Sequence, residues 1–279
     1  MADSTAMAAF AVNTYSYTLS ERATDCMRKL ADRGFREFEL MMYPGHLWPG
    51  EMDALARRDL RDRMRGEGLV LRTVNMPNVD LNLAAATVEM RQMTLGLLRQ
   101  FIALAGDLGS HAVVLGPGKP NPLMPMPKAQ MLEHFHRALR ELVPLAANCG
   151  TSIVVENMPF AFLPGIAELL HALDEHGDAS IGVVYDLANG HFVNEDLASS
   201  LRLCAKRLKV VHVSDTNQTL YRHDAVGLGT VDFAAVPHVL REIGFTQRPV
   251  LEIIDAQPDT SIERSVSRLR DLGWCPAAA

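Results

Sequence analysis

Ser152-Ile153-Val154-Val155-Glu156, Ile181-Gly182-Val183-Val184-Tyr185-Asp186, Leu208-Lys209-Val210-Val211-His212 and Pro249-Val250-Leu251-Glu252 are four short apolar runs that each stop on a carboxylate or an imidazole. Each run has the length and composition of a buried β-strand. One such ending would be an ordinary polar group finishing a strand. Four endings of metal-ligand type at the same structural level point to a site. Three carboxylates and one imidazole form an oxygen-rich donor set suited to Mn²⁺ foremost, and to Mg²⁺, Co²⁺ or Fe²⁺, and less suited to a structural zinc.

Working outward, the same kind of run recurs near Ala9–Tyr15, Phe35–Met42, Leu69–Asn75 and His111–Leu115. Segments of helical apolar spacing lie between the runs: Ser20–Asp32, Asp53–Arg65, Thr87–Leu108, Lys128–Asn148, Ile166–His176, Leu197–Lys206, Phe233–Ile243 and Ser261–Leu272. Seven of these end on or just before a glycine (Gly34, Gly68, Gly109, Gly150, Gly177, Gly244, Gly273), the residue that most easily terminates a helix. Alternating strands and helices in 279 residues predict one (β/α)8 TIM barrel spanning residues 1–279, with a doubly wound open sheet as the alternative. No glycine-rich phosphate turn follows the first run, which weakens the open-sheet alternative. In a parallel barrel all strand C-termini open on one face, so residues ending strands five to eight converge on half of one rim.

Bulk properties narrow the function. A formal charge of −6, without a clustered basic patch, excludes nucleic acid as the expected partner. No run reaches the roughly 20 apolar residues of a membrane span. Met1-Ala2-Asp3-Ser4 lacks the basic start of a secretory signal, and the scattered Cys26, Cys149, Cys204 and Cys275 read as free thiols. A cytoplasmic protein is the expectation.

The second half carries a family resemblance. Val155-Glu156-Asn157, Tyr185-Asp186-Leu187-Ala188-Asn189-Gly190-His191, Val211-His212-Val213-Ser214-Asp215, Gly227-Leu228-Gly229-Thr230-Val231-Asp232-Phe233 and Leu251-Glu252 together resemble the sugar-phosphate isomerase/epimerase superfamily. This group has a xylose-isomerase-like TIM barrel and is also called AP endonuclease family 2. The resemblance implies one divalent metal held by Glu156, Asp186, His212 and Glu252. It implies an isomerase or epimerase acting on a ketose or related keto-polyol, by proton abstraction next to a carbonyl through a metal-bound enediolate. Glu156 and Glu252 would be the acid/base pair, with Asp186 and His212 as pure ligands. His191, His223, Arg222, Trp48 and Asn157 are the candidate substrate-binding residues, Asn157 as a partner that orients Glu156. Family members often assemble as dimers or tetramers, so a homo-oligomer is the corresponding expectation.

Departures from the pattern bear on the substrate. The extra histidines of the three-zinc DNA-repair enzymes are missing from Asn75-Met76-Pro77 and Gly116-Pro117-Gly118, and the aspartate expected two residues before His223 is Tyr221. Asn189 stands where the epimerases place a histidine, Gln218 where they place an arginine, and Phe162 where they place a carboxylate. A metal-dependent dehydratase of a β-hydroxy ketone, of inosose or dehydroshikimate type, is the alternative enzyme. A non-catalytic sugar-binding subunit is the alternative outside catalysis.

Overall fold

The computed structural model describes residues 4–76 and 80–274. Met1-Ala2-Asp3, Pro77 and Cys275, all used in the sequence reading, lie outside the described residues. Eight parallel strands follow one another around a closed barrel: β1 Ala11–Asn13, β2 Glu37–Met41, β3 Val70–Asn75, β4 Ala112–Leu115, β5 Ser152–Glu156, β6 Gly182–Asp186, β7 Leu208–Val213 and β8 Val250–Leu251. Closure is made by β1, which pairs with β2 on one side and with β8 on the other. That pairing excludes the open sheet.

Helices α2 Ala23–Asp32, α3 Ala54–Gly66, α4 Val88–Leu108, α5 Lys128–Asn148, α6 Ile166–His176, α8 Leu197–Cys204, α9 Val236–Glu242 and α10 Pro258–Asp271 occupy the eight expected segments; α1 Ser4–Met7 and α7 Leu187–Phe192 are additional. Side-chain caps on the backbone start three of them: Asp53 for α3, Thr87 for α4 and Asp196 for α8. Each such cap is worth about 1 kcal/mol. The seven terminating glycines all take positive φ. Helix α10 begins earlier than the expected Ser261, because Pro258 at its first turn is pre-set for a helix and loses no hydrogen bond there.

Alternation along the strands builds two cores. Residues facing outward, such as Val12, Phe38, Leu40, Ile153, Val155, Val183, Val211 and Leu251, belong to the large cluster shared with the helices. Residues facing inward form a separate small cluster of Ala11, Ala112, Val114, Val154, Val184, Val210 and Val250. Two residues further along a strand points to the same face. From Ala11, Val154, Val184, Val210 and Val250 that step leads to Asn13, Glu156, Asp186, His212 and Glu252. The polar ring therefore sits on an apolar plug, at the C-terminal mouth of the barrel.

Three of the four cysteines, Cys26, Cys149 and Cys204, are free thiols. No helix among the described residues is long and apolar enough to cross a membrane.

Candidate metal centre and active site

Glu156, Asp186, His212 and Glu252 are buried, and each offers one ligand atom within 4.8 Å of the others. His212 is at the middle. Its Nδ1 lies 3.1 Å from Glu252 Oε2, 3.3 Å from Glu156 Oε1 and 3.7 Å from Asp186 Oδ2. Register brings two of the four side by side, because Asp186 on β6 pairs with His212 on β7.

Asp186 has two jobs. One carboxylate oxygen caps α7 by accepting the Asn189 backbone N–H at 2.7 Å. The other, Oδ2, is buried without a hydrogen-bond partner among the described residues. Such a group is costly unless something fills its place, at about 1–3 kcal/mol or more. A divalent cation bound by three carboxylates and an imidazole would satisfy it, so the residues fit the metal that the resemblance implies.

Electrostatics agree with that fit. Burial pushes Asp186 up to about 6 and also raises Glu156, both with help from neighbouring carboxylates. Burial alone would lower His212, but the Glu39 and Glu252 carboxylates outweigh it and hold the imidazole well above its ordinary value. A cluster that keeps protons to limit its own negative charge is one a cation would stabilise by displacing them.

Glu39 is a site residue that sequence reading missed. It is fully buried in the middle of β2 and meets the far side of His212, with Oε1 3.1 Å from Nε2. Asn13 and Thr73 donate to its carboxylate in short hydrogen bonds, and Asn75 Nδ2 donates to Oε1 at 3.2 Å. Asn13 also donates to Glu252 Oε1 at 3.2 Å. Burial would raise Glu39, yet the His212 imidazole and these donors hold it below the usual carboxylate range. A carboxylate on Nε2 leaves Nδ1 directed at the ligand cluster, an arrangement that fixes a metal-binding imidazole. The signal available in sequence was a carboxylate flanked by Phe38 and Leu40 in the run Phe35–Met42, which also carries Arg36 and Glu37.

A second chain of hydrogen bonds supports Glu156. Asn189 Nδ2 donates to Asn157 O at 2.8 Å and to Glu156 Oε1 at 3.3 Å, so its Oδ1 must accept. Tyr221 donates to that Oδ1 at 2.7 Å and contacts His223 Nε2 at 2.7 Å, while His223 Nδ1 is 3.0 Å from Ser214 Oγ. The Tyr221 phenol is kept neutral by burial first and by Asp186, Glu156 and Glu252 next. Asn189 and Tyr221, departures from the family pattern, thus work as a pair.

The motif around His223 is architecture. Asp215 accepts the backbone N–H groups of Thr216, Gly227 and Val231 at 2.9, 2.8 and 3.1 Å, pinning the loop that carries His223. A Cβ at position 229 would fall 2.2 Å from Thr216 O, which only glycine avoids.

A cleft of about 210 Å³ opens over this centre. Glu156, Glu252 and His223 line it, whereas Asp186 and His212 do not. Three expected substrate contacts stand elsewhere. The His191 ring bonds Thr230 Oγ1 at 2.8 Å, the Arg222 side chain is 55% exposed beside Asp224, and Trp48 packs edge-on against Phe101 with centroids 5.2 Å apart. Asn157 clamps the backbone of Asp186, accepting its N–H at 2.7 Å and donating to its carbonyl at 3.2 Å, rather than bonding Glu156. Phe162 is buried and stacks edge-on with Phe135.

The family model of the xylose isomerase-like TIM barrel matches residues 27–272. The chain belongs to that family. It is 29% identical over 233 residues to the uncharacterized protein MJ1311 of Methanocaldococcus jannaschii, covering 81% of this chain and 78% of that protein. The structure of a D-tagatose 3-epimerase-like protein superposes with a TM-score of 0.80 at 24% identity, over 94% of this chain and 96% of the other. The IOLI protein with a zinc atom superposes with a TM-score of 0.75 at 18% identity, over 94% and 95% of the two chains.

Proposed function

We propose that this protein is a divalent-metal-dependent sugar isomerase or epimerase, acting on a ketose or related keto-polyol by moving a proton next to a carbonyl. One observation carries the reading: of the four clustered ligand candidates, only Glu156 and Glu252 also line the cleft. Those two can touch a substrate carbon, and Asp186 and His212 serve as ligands alone. The likeness to the D-tagatose 3-epimerase-like protein supports the reaction class, and the zinc atom of the IOLI structure supports a divalent cation.

The bound cation would polarise the carbonyl and lower the cost of the enediolate charge. The chain's own groups do the rest. Glu252, held by Asn13, takes the proton from the carbon beside the carbonyl. Glu156, which lines the cleft from its own strand, returns the proton. His223, on the cleft wall 3.4 Å from Glu252 Oε2, has its ring nitrogens on Tyr221 and Ser214 and would meet a substrate hydroxyl by exchanging one of those bonds.

Proton exchange in D₂O followed by NMR tests the proposal, using the metal-loaded protein and a panel of ketoses, keto-acids and inososes. Metal-dependent deuterium incorporation beside a carbonyl, without an unsaturated product, is the expected result. An unsaturated product absorbing in the ultraviolet would make the protein a dehydratase. No incorporation across the panel would remove the enolising chemistry.

A further inference from the structure

Two of the barrel's strand pairings skip a residue, and both skipped residues are cations. Phe38 and Glu39 on β2 face Leu71 and Thr73 on β3, which leaves Arg72 extra. Val183 and Val184 on β6 face Leu208 and Val210 on β7, which leaves Lys209 extra. An inserted residue of this kind bends its strand and re-aims its side chain. Strands β3 and β7 lie four apart in the ring of eight, on opposite walls, yet Arg72 and Lys209 line one cavity.

That cavity, of about 360 Å³, opens at the N-terminal end of the barrel and shares no residue with the cleft at the other end. Its inner wall is the underside of the apolar plug, at Ala112, Val154 and Val210. The loop between α9 and β8 closes one side and adds Thr246 and Gln247 as neutral donors. No carboxylate lines it, although the chain carries 33 acidic residues against 27 lysines and arginines.

Both cations are positioned with their charge unspent. Buried Glu37 accepts Arg72 through Nε and Arg248 through Nη1 at 2.8 Å, so Arg72 keeps Nη1 and Nη2 for another partner. Around that carboxylate and Lys209, three cations face one acid. The Lys209 stem crosses β6 at Gly182, where a Cβ would fall 2.5 Å from Lys209 Cγ and 3.0 Å from Val154 Cγ1. Its ammonium has no ion-pair partner among the described residues. Burial first, and the Arg72 charge next, hold the His111 imidazole on the same wall below its ordinary value.

Unspent cations on opposite walls of one polar-rimmed cavity match a ligand with two negative charges. We infer that this N-terminal cavity binds a small dianion, a phosphate or a dicarboxylate, at a site separate from the metal centre.

Calorimetric titration with inorganic phosphate and with succinate tests this, on the metal-loaded protein freed of excess cation. Each titration is repeated on Lys209→Met, which removes a charge at an exposed position and keeps the stem over Gly182, and on Lys119→Met, which removes a cation lining the cleft. The expected result is one saturable site for at least one of the two dianions, weakened roughly tenfold or more by Lys209→Met and unchanged by Lys119→Met. The dianion bound more tightly names the ligand class. Arg72→Gln, which leaves Glu37 paired with Arg248, should weaken the same site. Saturable binding of neither dianion would overturn the inference. So would affinity unchanged in Lys209→Met, or affinity lost in Lys119→Met, which would put the anion in the cleft.

Discussion

Strands five to eight and strands one to three meet at the same rim and do opposite work. The later strands present Glu156, Asp186, His212 and Glu252, whose ligand atoms gather within 4.8 Å of one another. The earlier strands present Asn13, Glu39, Thr73 and Asn75, which bond to one another and to His212 and Glu252 from behind. One half offers donors, and the other decides where those donors point. The comparison teaches that this centre is built across the whole barrel, although its chemistry stands on one side of it.

Breaking the donor half should have the largest effect. Glu252→Gln keeps the shape of the side chain and removes its basicity, so kcat should fall by about 10²–10⁴-fold, with far-UV circular dichroism unchanged. Retained turnover would remove Glu252 from the acid/base role. Asp186→Asn takes away a ligand charge and should weaken metal binding by more than about 100-fold, read by equilibrium dialysis.

The supporting half gives the next largest effects. Glu39→Gln should weaken metal binding by roughly 10–100-fold, because the amide no longer compels His212 to turn Nδ1 to the cluster. Unchanged affinity would show that the donor half is sufficient by itself. Thr73→Val removes one donor to Glu39, and should cost metal affinity only about fivefold.

Protons sharpen the comparison further. Glu39 and Glu252 hold the His212 imidazole well above its ordinary value, and burial pushes Asp186 up to about 6. A cation needs both groups deprotonated. Affinity should therefore rise with pH, most steeply across the range from about 6 up to the raised value of His212. Calorimetric titrations at pH 7 in buffers of different ionisation enthalpy should show net release of protons as the cation binds. Affinity that is flat between pH 5.5 and 8 would contradict this electrostatic account.

Much of this was legible in the sequence because strand periodicity and strand position carry it. The runs ending in Glu156, Asp186, His212 and Glu252 pointed to both the barrel and the clustering of these four side chains, since a residue at the end of a parallel-barrel strand has one place to go. Glu39 was not legible. It lies inside its strand, between Phe38 and Leu40, and only closure of β1 against β2 and β8 turns it towards His212. Helix α7 was hidden because Leu187-Ala188-Asn189-Gly190 reads as a turn until the Asp186 side chain caps it. Trp48 and Arg222 looked like substrate contacts because loop aromatics and cations on an active face often are. In the structure neither lines the cleft: Trp48 packs against Phe101, and Arg222 stands exposed near Asp224.

The most direct test of the central claim is a crystal of the Mn²⁺-loaded protein with anomalous data collected at the manganese edge. The account predicts one peak per chain, bonded to Glu156, Asp186, Nδ1 of His212 and Glu252. No peak among those four residues, or a peak bound elsewhere, would contradict it.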